Sequence, residues 1–213
     1  MQITEIFKSI QGESTHAGLP CIFVRLTACN LRCTWCDTEY SFHGGTKMTL
    51  DEVLGRVRGF GGKLVEITGG EPLLQEEVYA LMDRLLAEGY RVMLETSGEQ
   101  PVARVPSEVI KIVDVKCPDS GEPDTFAMEN LNHLAPHDQI KFVIATRRDY
   151  EFARDFTRRH QLDERIAAVI FSPVHGQLDL AEMAQWILDD GLENVRFGYQ
   201  LHKLIWGAEA RGV

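Results

Sequence analysis

Short β-rich runs alternate with helical stretches along almost the whole chain, and this alternation limits the possible folds more than any other feature. The runs cover residues 2–10, 21–27, 64–68, 91–96, 109–115, 139–145, 167–171 and 195–199. Between them, residues 74–88 place Leu74, Val78, Leu81, Met82, Leu85 and Leu86 on one face, the 3.6-residue period of a half-buried helix. Residues 148–160 and 180–189 complete the helical set. Thr49 followed by Glu52, and Asp179 followed by Glu182, are helix starts of capping-box type. Strands alternating with helices predict βαβ units and a mostly parallel sheet. A complete eight-fold barrel takes roughly 250 residues, with about 200 as a floor. The 213 residues here, some of them spent on N-terminal loops, predict an α/β fold of incomplete TIM-barrel type, with mostly parallel strands and few helices. One domain spanning residues 1–213 is expected.

Charge and cysteine usage exclude several function classes. The net charge of −10, from 22 basic and 32 acidic residues, argues against sequence-independent nucleic-acid binding, which needs a basic footprint. The N-terminal MQITEIFKSI lacks the charged-then-apolar pattern of a signal peptide. No apolar stretch approaches the ~18 residues that span a bilayer. A cytoplasmic protein is expected, and five cysteines, an odd number, fit a reduced state better than a disulfide framework.

Three of those cysteines, Cys29, Cys33 and Cys36, fall within eight residues as CxxxCxxC, directly after the run 21–27. Such spacing lets one loop wrap a compact metal centre. A structural zinc site is one reading, with Cys21, Cys117 or His43 as a fourth ligand. No second CxxC or HxxxH half accompanies the loop, however. A four-iron cluster on three thiolates explains the count directly and leaves one iron open.

CxxxCxxC after an early strand, with Trp35 before the last cysteine, resembles the signature of the radical S-adenosylmethionine (SAM) superfamily. The resemblance implies that the cofactor's amino and carboxylate groups chelate the open iron of a [4Fe-4S] cluster. An electron then breaks the sulfonium bond to give a 5′-deoxyadenosyl radical. Thr68-Gly69-Gly70-Glu71-Pro72 is, taken alone, a strand-to-helix turn. In the company of the cysteines it is similar to the superfamily's GGEP motif, which binds the amino end of SAM. Polar strand ends recur at Glu95-Thr96-Ser97-Gly98, at Asp114-Val115-Lys116 and at Ser172-Pro173-Val174-His175. By resemblance these contact SAM together with Trp35, Cys36, Asp37, Gly70 and Glu71. Lys116 is the most specific of them, since a buried lysine needs an anionic partner.

The N-terminal block narrows the resemblance. Ile10-Gln11-Gly12-Glu13, Gly18-Leu19-Pro20, Arg25, Cys36-Asp37-Thr38 and Gln200-Leu201-His202-Lys203 together resemble the 7-carboxy-7-deazaguanine synthase family across nearly the whole chain. Ser14 and Ala28 depart from it, each standing where the family commonly has glycine. The resemblance implies a 6-carboxy-5,6,7,8-tetrahydropterin substrate, loss of ammonia, a magnesium requirement and a product that feeds deazapurine pathways such as queuosine. It implies substrate contacts at Ile10, Gln11, Gly12, Glu13, Arg25, Thr68 and His202, and a magnesium ligand at Thr38, with Asp37 as the competing candidate. The physical side of Arg25 is its place in an otherwise apolar strand, where a guanidinium fork suits a carboxylate. Two alternatives stand beside this reading. A glycyl-radical-enzyme activating protein would share the cluster but need no QGE block, and a metal-binding interaction module would need no GGEP segment. An external electron donor of flavodoxin or ferredoxin type is implied, and the apolar Leu204-Ile205-Trp206 points to a subunit contact in a homodimer.

Overall fold

The structure, a computed structural model, describes residues 1–213. In chain order it runs β1 (Gln2–Ile10), β2 (Pro20–Leu26), β3 (Thr46–Lys47), α1 (Leu50–Gly59), β4 (Leu64–Gly69), α2 (Glu77–Ala87), β5 (Arg91–Thr96), β6 (Ile110–Asp114) and β7 (Gln139–Ile144), then α3 (Arg147–His160), α4 (Leu162–Arg165), β8 (Ala168–Pro173), α5 (Leu180–Asp189), β9 (Val195–Phe197) and α6 (Leu201–Trp206). All nine strands form one sheet, ordered β3-β1-β2-β4-β5-β6-β7-β8-β9. From β2 to β9 every neighbouring pair is parallel, and only β1 pairs antiparallel, with β2 and β3. The end strands β3 and β9 do not pair with each other, so the barrel is partial. The β5–β6 and β6–β7 crossovers carry no α-helix, only loops and short 3-10 turns. Fewer helices than strands is therefore correct.

The period of two along each strand separates two environments. Ile22, Val24 and Leu26 of β2, with Val65 and Ile67 of β4, join a core under α1 and α2. Ile140, Phe142, Val169 and Phe171 join a second core under α3 and α5. The opposite parity lines the concave face. Its lower layer is apolar, with Cys21, Phe23, Leu64, Met93 and Ile112 packed together. Its upper layer is polar and opens into a cavity.

Helix starts follow local chemistry. Thr49 and Glu52 make the full reciprocal capping box on α1. Asp179 accepts from the Glu182 amide at 2.9 Å but receives no reciprocal bond, so only half of the expected motif forms. The helix expected over residues 74–88 is shorter. Pro72–Leu74 is a separate 3-10 turn, and Gln75 is extended because its amide is bonded to Gln2 and Thr27, which ties the turn to β1 and β2. Leu74 is consequently exposed rather than on the buried face. α6, which the strand-and-helix pattern did not foresee, leaves Leu204, Ile205 and Trp206 exposed. No helix is long and apolar enough to cross a membrane.

Candidate active site

One cavity of about 530 Å³ occupies the concave face. It gathers residues expected from the sequence as SAM, cluster, magnesium and substrate contacts, all except Glu71, Gly98 and Val115. Val115 faces outward into the second core, and only its backbone meets a neighbouring strand, donating to the Lys141 carbonyl at 2.9 Å. Glu71 is fully buried behind the wall.

The rim is built at the carboxyl ends of the parallel strands. The irregular segment after β2 carries Cys29, Cys33 and Cys36, all half-buried and all on the cavity. Burial raises the three thiols, while the Lys116 ammonium pulls Cys29 and Cys33 back down. Burial also works against the Lys116 charge, but Asp114, 2.8 Å away, and Cys33 outweigh it and hold the lysine above its ordinary value. The expected anionic partner of Lys116 is thus Asp114. None of the candidate fourth zinc ligands, Cys21, Cys117 or His43, reaches the cavity. No three His, Cys, Asp or Glu side chains converge closely enough to hold a single ion.

The Gly69-Gly70-Glu71 turn is locked against the cysteine segment. A Cβ on Gly70 would strike the Ala28 carbonyl and the Cys29 Cβ, so glycine is required by close approach. The Glu71 amide donates to the Ala28 carbonyl at 2.8 Å. Its carboxylate accepts from the Leu73 and Ser97 amides and from the Thr96 and Ser97 hydroxyls. Glu71 is therefore a brace for the turn, and Thr96 reaches the rim as one of its partners.

The floor comes from strand interiors and from the 11–19 connection. Ile10 pairs with Pro20, so this connection leaves from the opposite end of the sheet to the cysteines. It crosses under the cavity, where the Thr15 amide donates to the Gln139 side chain at 2.9 Å and the Gly12 carbonyl accepts from the Leu201 amide at 3.0 Å. A Cβ on Gly12 would overlap the His202 ring, so His202 lies at the floor beside Gly12. Here charges cluster. Lys141 on β7 pairs with Glu13 at 3.1 Å and with Glu95 on β5. The Gln11 amide donates to Glu66 on β4 at 3.0 Å. Arg25 Nε donates to Glu5 at 2.8 Å, and Tyr40 donates to the same oxygen at 2.8 Å. Burial raises Glu66 to about 8, with Glu95 adding to the effect; Glu95 itself is lowered because Lys141 outweighs its own burial. Glu66 and Lys141 were not among the expected site residues, and Glu95 was expected with Thr96 at the polar strand end rather than on the floor. The available signal was a charged residue inside an apolar strand run, the same signal that singled out Arg25.

α6 closes the side of the cavity. Gln200 Nε2 donates to both Glu13 and Asp37 at 3.0 Å, and Lys203 pairs with Asp37 at 2.7 Å. Burial opposes ionisation of Asp37, but Lys203 and the hydrogen bonds of Thr38 and Gln200 hold its carboxyl well below the usual range. The Thr38 hydroxyl donates to Asp37 at 2.9 Å.

Comparison with known proteins settles the family. Residues 24–115 match the radical SAM superfamily. The chain is 57% identical over 227 residues to 7-carboxy-7-deazaguanine synthase of Koribacter versatilis, covering all of both chains. The chain belongs to the 7-carboxy-7-deazaguanine synthase family. It is 43% identical over 209 residues to the Thermoplasma acidophilum enzyme of that name, covering 97% of this chain and 98% of the other. Its fold is similar to the crystal structure of QueE from Escherichia coli, with a TM-score of 0.76 at 24% identity over 94% of each chain.

Membership makes the chain a radical SAM enzyme, with the four-iron cluster and SAM that this chemistry uses. The donor set fits. Three thiols and no fourth line the cavity, as a cluster with one open iron requires. Asp114 Oδ1 is buried without a protein partner at the wall, ready to accept from a ligand. The side-chain-free backbone at Gly70 leaves room beside Cys29.

Proposed function

We propose that this enzyme converts 6-carboxy-5,6,7,8-tetrahydropterin to 7-carboxy-7-deazaguanine with loss of ammonia, a step that serves queuosine and related deazapurine biosynthesis. The observation that carries the reading is one cavity joining a three-thiol rim to an arginine-and-carboxylate floor, in a chain 57% identical to a 7-carboxy-7-deazaguanine synthase. Cys29, Cys33 and Cys36 hold the cluster, and Asp37, Thr96, Asp114, Lys116 and Ser172 to His175 border SAM. When bound, these groups supply an electron and a carbon-centred radical that removes a hydrogen atom from the substrate. Glu5 fixes the plane of the Arg25 guanidinium and leaves its terminal nitrogens for the substrate carboxylate. Glu13 accepts from the NH groups of the pyrimidine edge, and His202 with α6 excludes water. Thr38 offers magnesium a hard oxygen. A flavodoxin- or ferredoxin-type donor supplies the electron, and Leu204, Ile205 and Trp206 pack in a homodimer. The reaction is tested by anaerobic incubation of the reconstituted protein with the carboxytetrahydropterin, SAM and a reductant. The expected product mass is that of the substrate less one ammonia; unchanged pterin beside SAM cleavage would refute the assignment.

A further inference from the structure

The floor holds more carboxylates than cations to match them. Glu13, Glu66 and Glu95 surround one lysine, Lys141, whose ammonium contacts Glu13 and Glu95 and not Glu66. Arg25, the other cation nearby, is committed through Nε to Glu5. Glu66 is 3% exposed and has a single protein partner, the Gln11 amide nitrogen. The orientation of that amide is fixed, because Gln11 Oε1 accepts from the Glu13 and Ser14 amides at 2.9 and 3.0 Å. Gln11 must therefore donate to Glu66 Oε2. The remaining oxygen, Oε1, has no protein partner and belongs to a side chain on the cavity wall.

We propose that Glu66 serves in the substrate site as a neutral carboxylic acid, anchored at Oε2 by Gln11 and donating its proton from Oε1 to the ring carbonyl of the bound pyrimidinone. The proposal rests on the pterin reading given above. The groups that face Glu66 are Gln11 and Glu13 from the 11–19 connection, Cys21 from β2, Glu95 from β5 and Lys141 from β7; Arg25 of β2 acts on Glu95. Burial and the neighbouring Glu95 and Glu13 disfavour its ionised form and outweigh the Gln11 hydrogen bond and Lys141, which favour it, so the proton stays on at neutral pH. The floor then presents both halves of a pyrimidinone edge with partners: carboxylate acceptors at Glu13 and Glu95 for its N–H groups, and one acid donor at Glu66 for its carbonyl. An anionic Glu66 would face that carbonyl oxygen with a lone pair and repel it.

The test has two parts. Infrared difference spectra of wild type and Glu66→Gln at pH 7 read the protonated-carboxyl C=O band without any substrate. The band should be present in wild type and absent in the variant; a carboxylate signal from Glu66 at pH 7 would overturn the proposal whether or not the protein binds a pterin. Affinity for 6-carboxytetrahydropterin, read through Trp35 fluorescence, is then followed with pH. Wild-type binding should be flat below about 8 and weaken about tenfold per pH unit above it. Glu66→Gln should bind a few-fold more weakly at pH 7 and lose the pH dependence, because the amide still donates; Glu66→Ala should lose more than about tenfold. A 2,4-diamino analogue, which offers a donor where the carbonyl stood, should show the opposite trend and bind better above about 8 in wild type only. Equal pH profiles in wild type and Glu66→Gln would overturn the donor role. Wild type that fails to bind the pterin at any pH would refute the substrate reading, while the infrared band still decides the state of Glu66.

Discussion

The rim and the floor of this cavity solve different physical problems. The rim is assembled from strand ends and an irregular segment, and its shape depends on backbone contacts: Gly70 against Ala28, the Glu71 amide on the Ala28 carbonyl, the Glu71 carboxylate on the Ser97 and Leu73 amides. The floor is assembled inside strands, where regular pairing already fixes the backbone and ion pairs set which side chains face one another. On the function proposed above, radical generation belongs to the rim and substrate recognition to the floor. Variants at the rim should therefore change cluster content or SAM cleavage, and variants at the floor should change pterin affinity or stability with the cluster intact.

The sharpest way to break that division is at the thiols. Replacing any one of Cys29, Cys33 or Cys36 by Ala should abolish SAM cleavage and lower iron and sulfide content. Cys21→Ala and Cys117→Ala, at residues 0% and 1% exposed in the apolar layer below the cavity and in the second core, should keep the cluster. SAM cleavage by a variant lacking all three rim cysteines would sink the assignment.

The floor carries the next largest effect, on stability. Lys141→Met leaves Glu13 and Glu95 without their cation, and breaking a buried pair costs about 3–5 kcal/mol. The cavity admits water to both carboxylates, so the lower end is expected in urea unfolding. Glu66→Gln should move the other way. The folded protein holds this carboxyl at about 8 against an ordinary 4.5, so folding at neutral pH takes up a proton. Stability is thus lost as pH rises from about 4.5 to about 8, and the amide escapes that loss. A gain of about 1–3 kcal/mol at pH 7, vanishing below pH 4.5, is expected from a cost of roughly 1.4 kcal/mol per tenfold change in acidity. A gain that persists in acid would show that packing, not the proton, is responsible.

Arg25 probes the boundary between the regions, four residues before Cys29 in sequence but on the floor. Arg25→Ala should weaken pterin binding by about 2–3 kcal/mol, the low end for losing one partner of a charge-assisted contact. Arg25→Lys should fall between, since lysine cannot hold Glu5 through Nε and offer two parallel donors at once. Iron content and substrate-free SAM cleavage should survive in both; loss of the cluster would place Arg25 with the rim.

What the chain disclosed before its structure follows the same division. The rim was legible because its residues are forced by local constraints: three thiols in one loop, two adjacent glycines, polar tips on apolar runs. Even there, sequence did not show where the Glu71 side chain points: its carboxylate lies behind the wall on the Leu73 and Ser97 amides. The floor was half legible. Gln11, Glu13 and Arg25 were expected from a family pattern and Glu95 from a polar strand end, but Glu66, Glu95 and Lys141 come from three strands, and nothing local says that their side chains share one face. That follows only from strand order and register, which are long-range properties. The helix α6 was missed for a related reason, since its six residues carry no cap and no buried face.

The smallest expected effect is at Ala28, where the rim's backbone contacts impose a cost. Ala28 has φ of 84°, in the left-handed region that disfavours any Cβ. It is held there from both sides, its amide donating to the Ser41 carbonyl at 2.8 Å and its carbonyl accepting from the Glu71 amide at 2.8 Å. The residue cannot relax without losing the turn that seats Gly70 against Cys29. A left-handed non-glycine residue costs roughly 1–2 kcal/mol. Glycine removes that cost but gives the unfolded chain about 0.5–1 kcal/mol of extra freedom. Ala28→Gly should therefore stabilise by less than about 1 kcal/mol, while Ala28→Val, branched at Cβ, should destabilise and reduce cluster content. Urea unfolding of the two variants, with iron analysis of each, checks both directions. Destabilisation by glycine would mean that the methyl group packs favourably enough to outweigh its backbone strain. The same variants leave the floor untouched, so pterin affinity in Ala28→Gly should equal that of wild type if rim and floor are energetically separate.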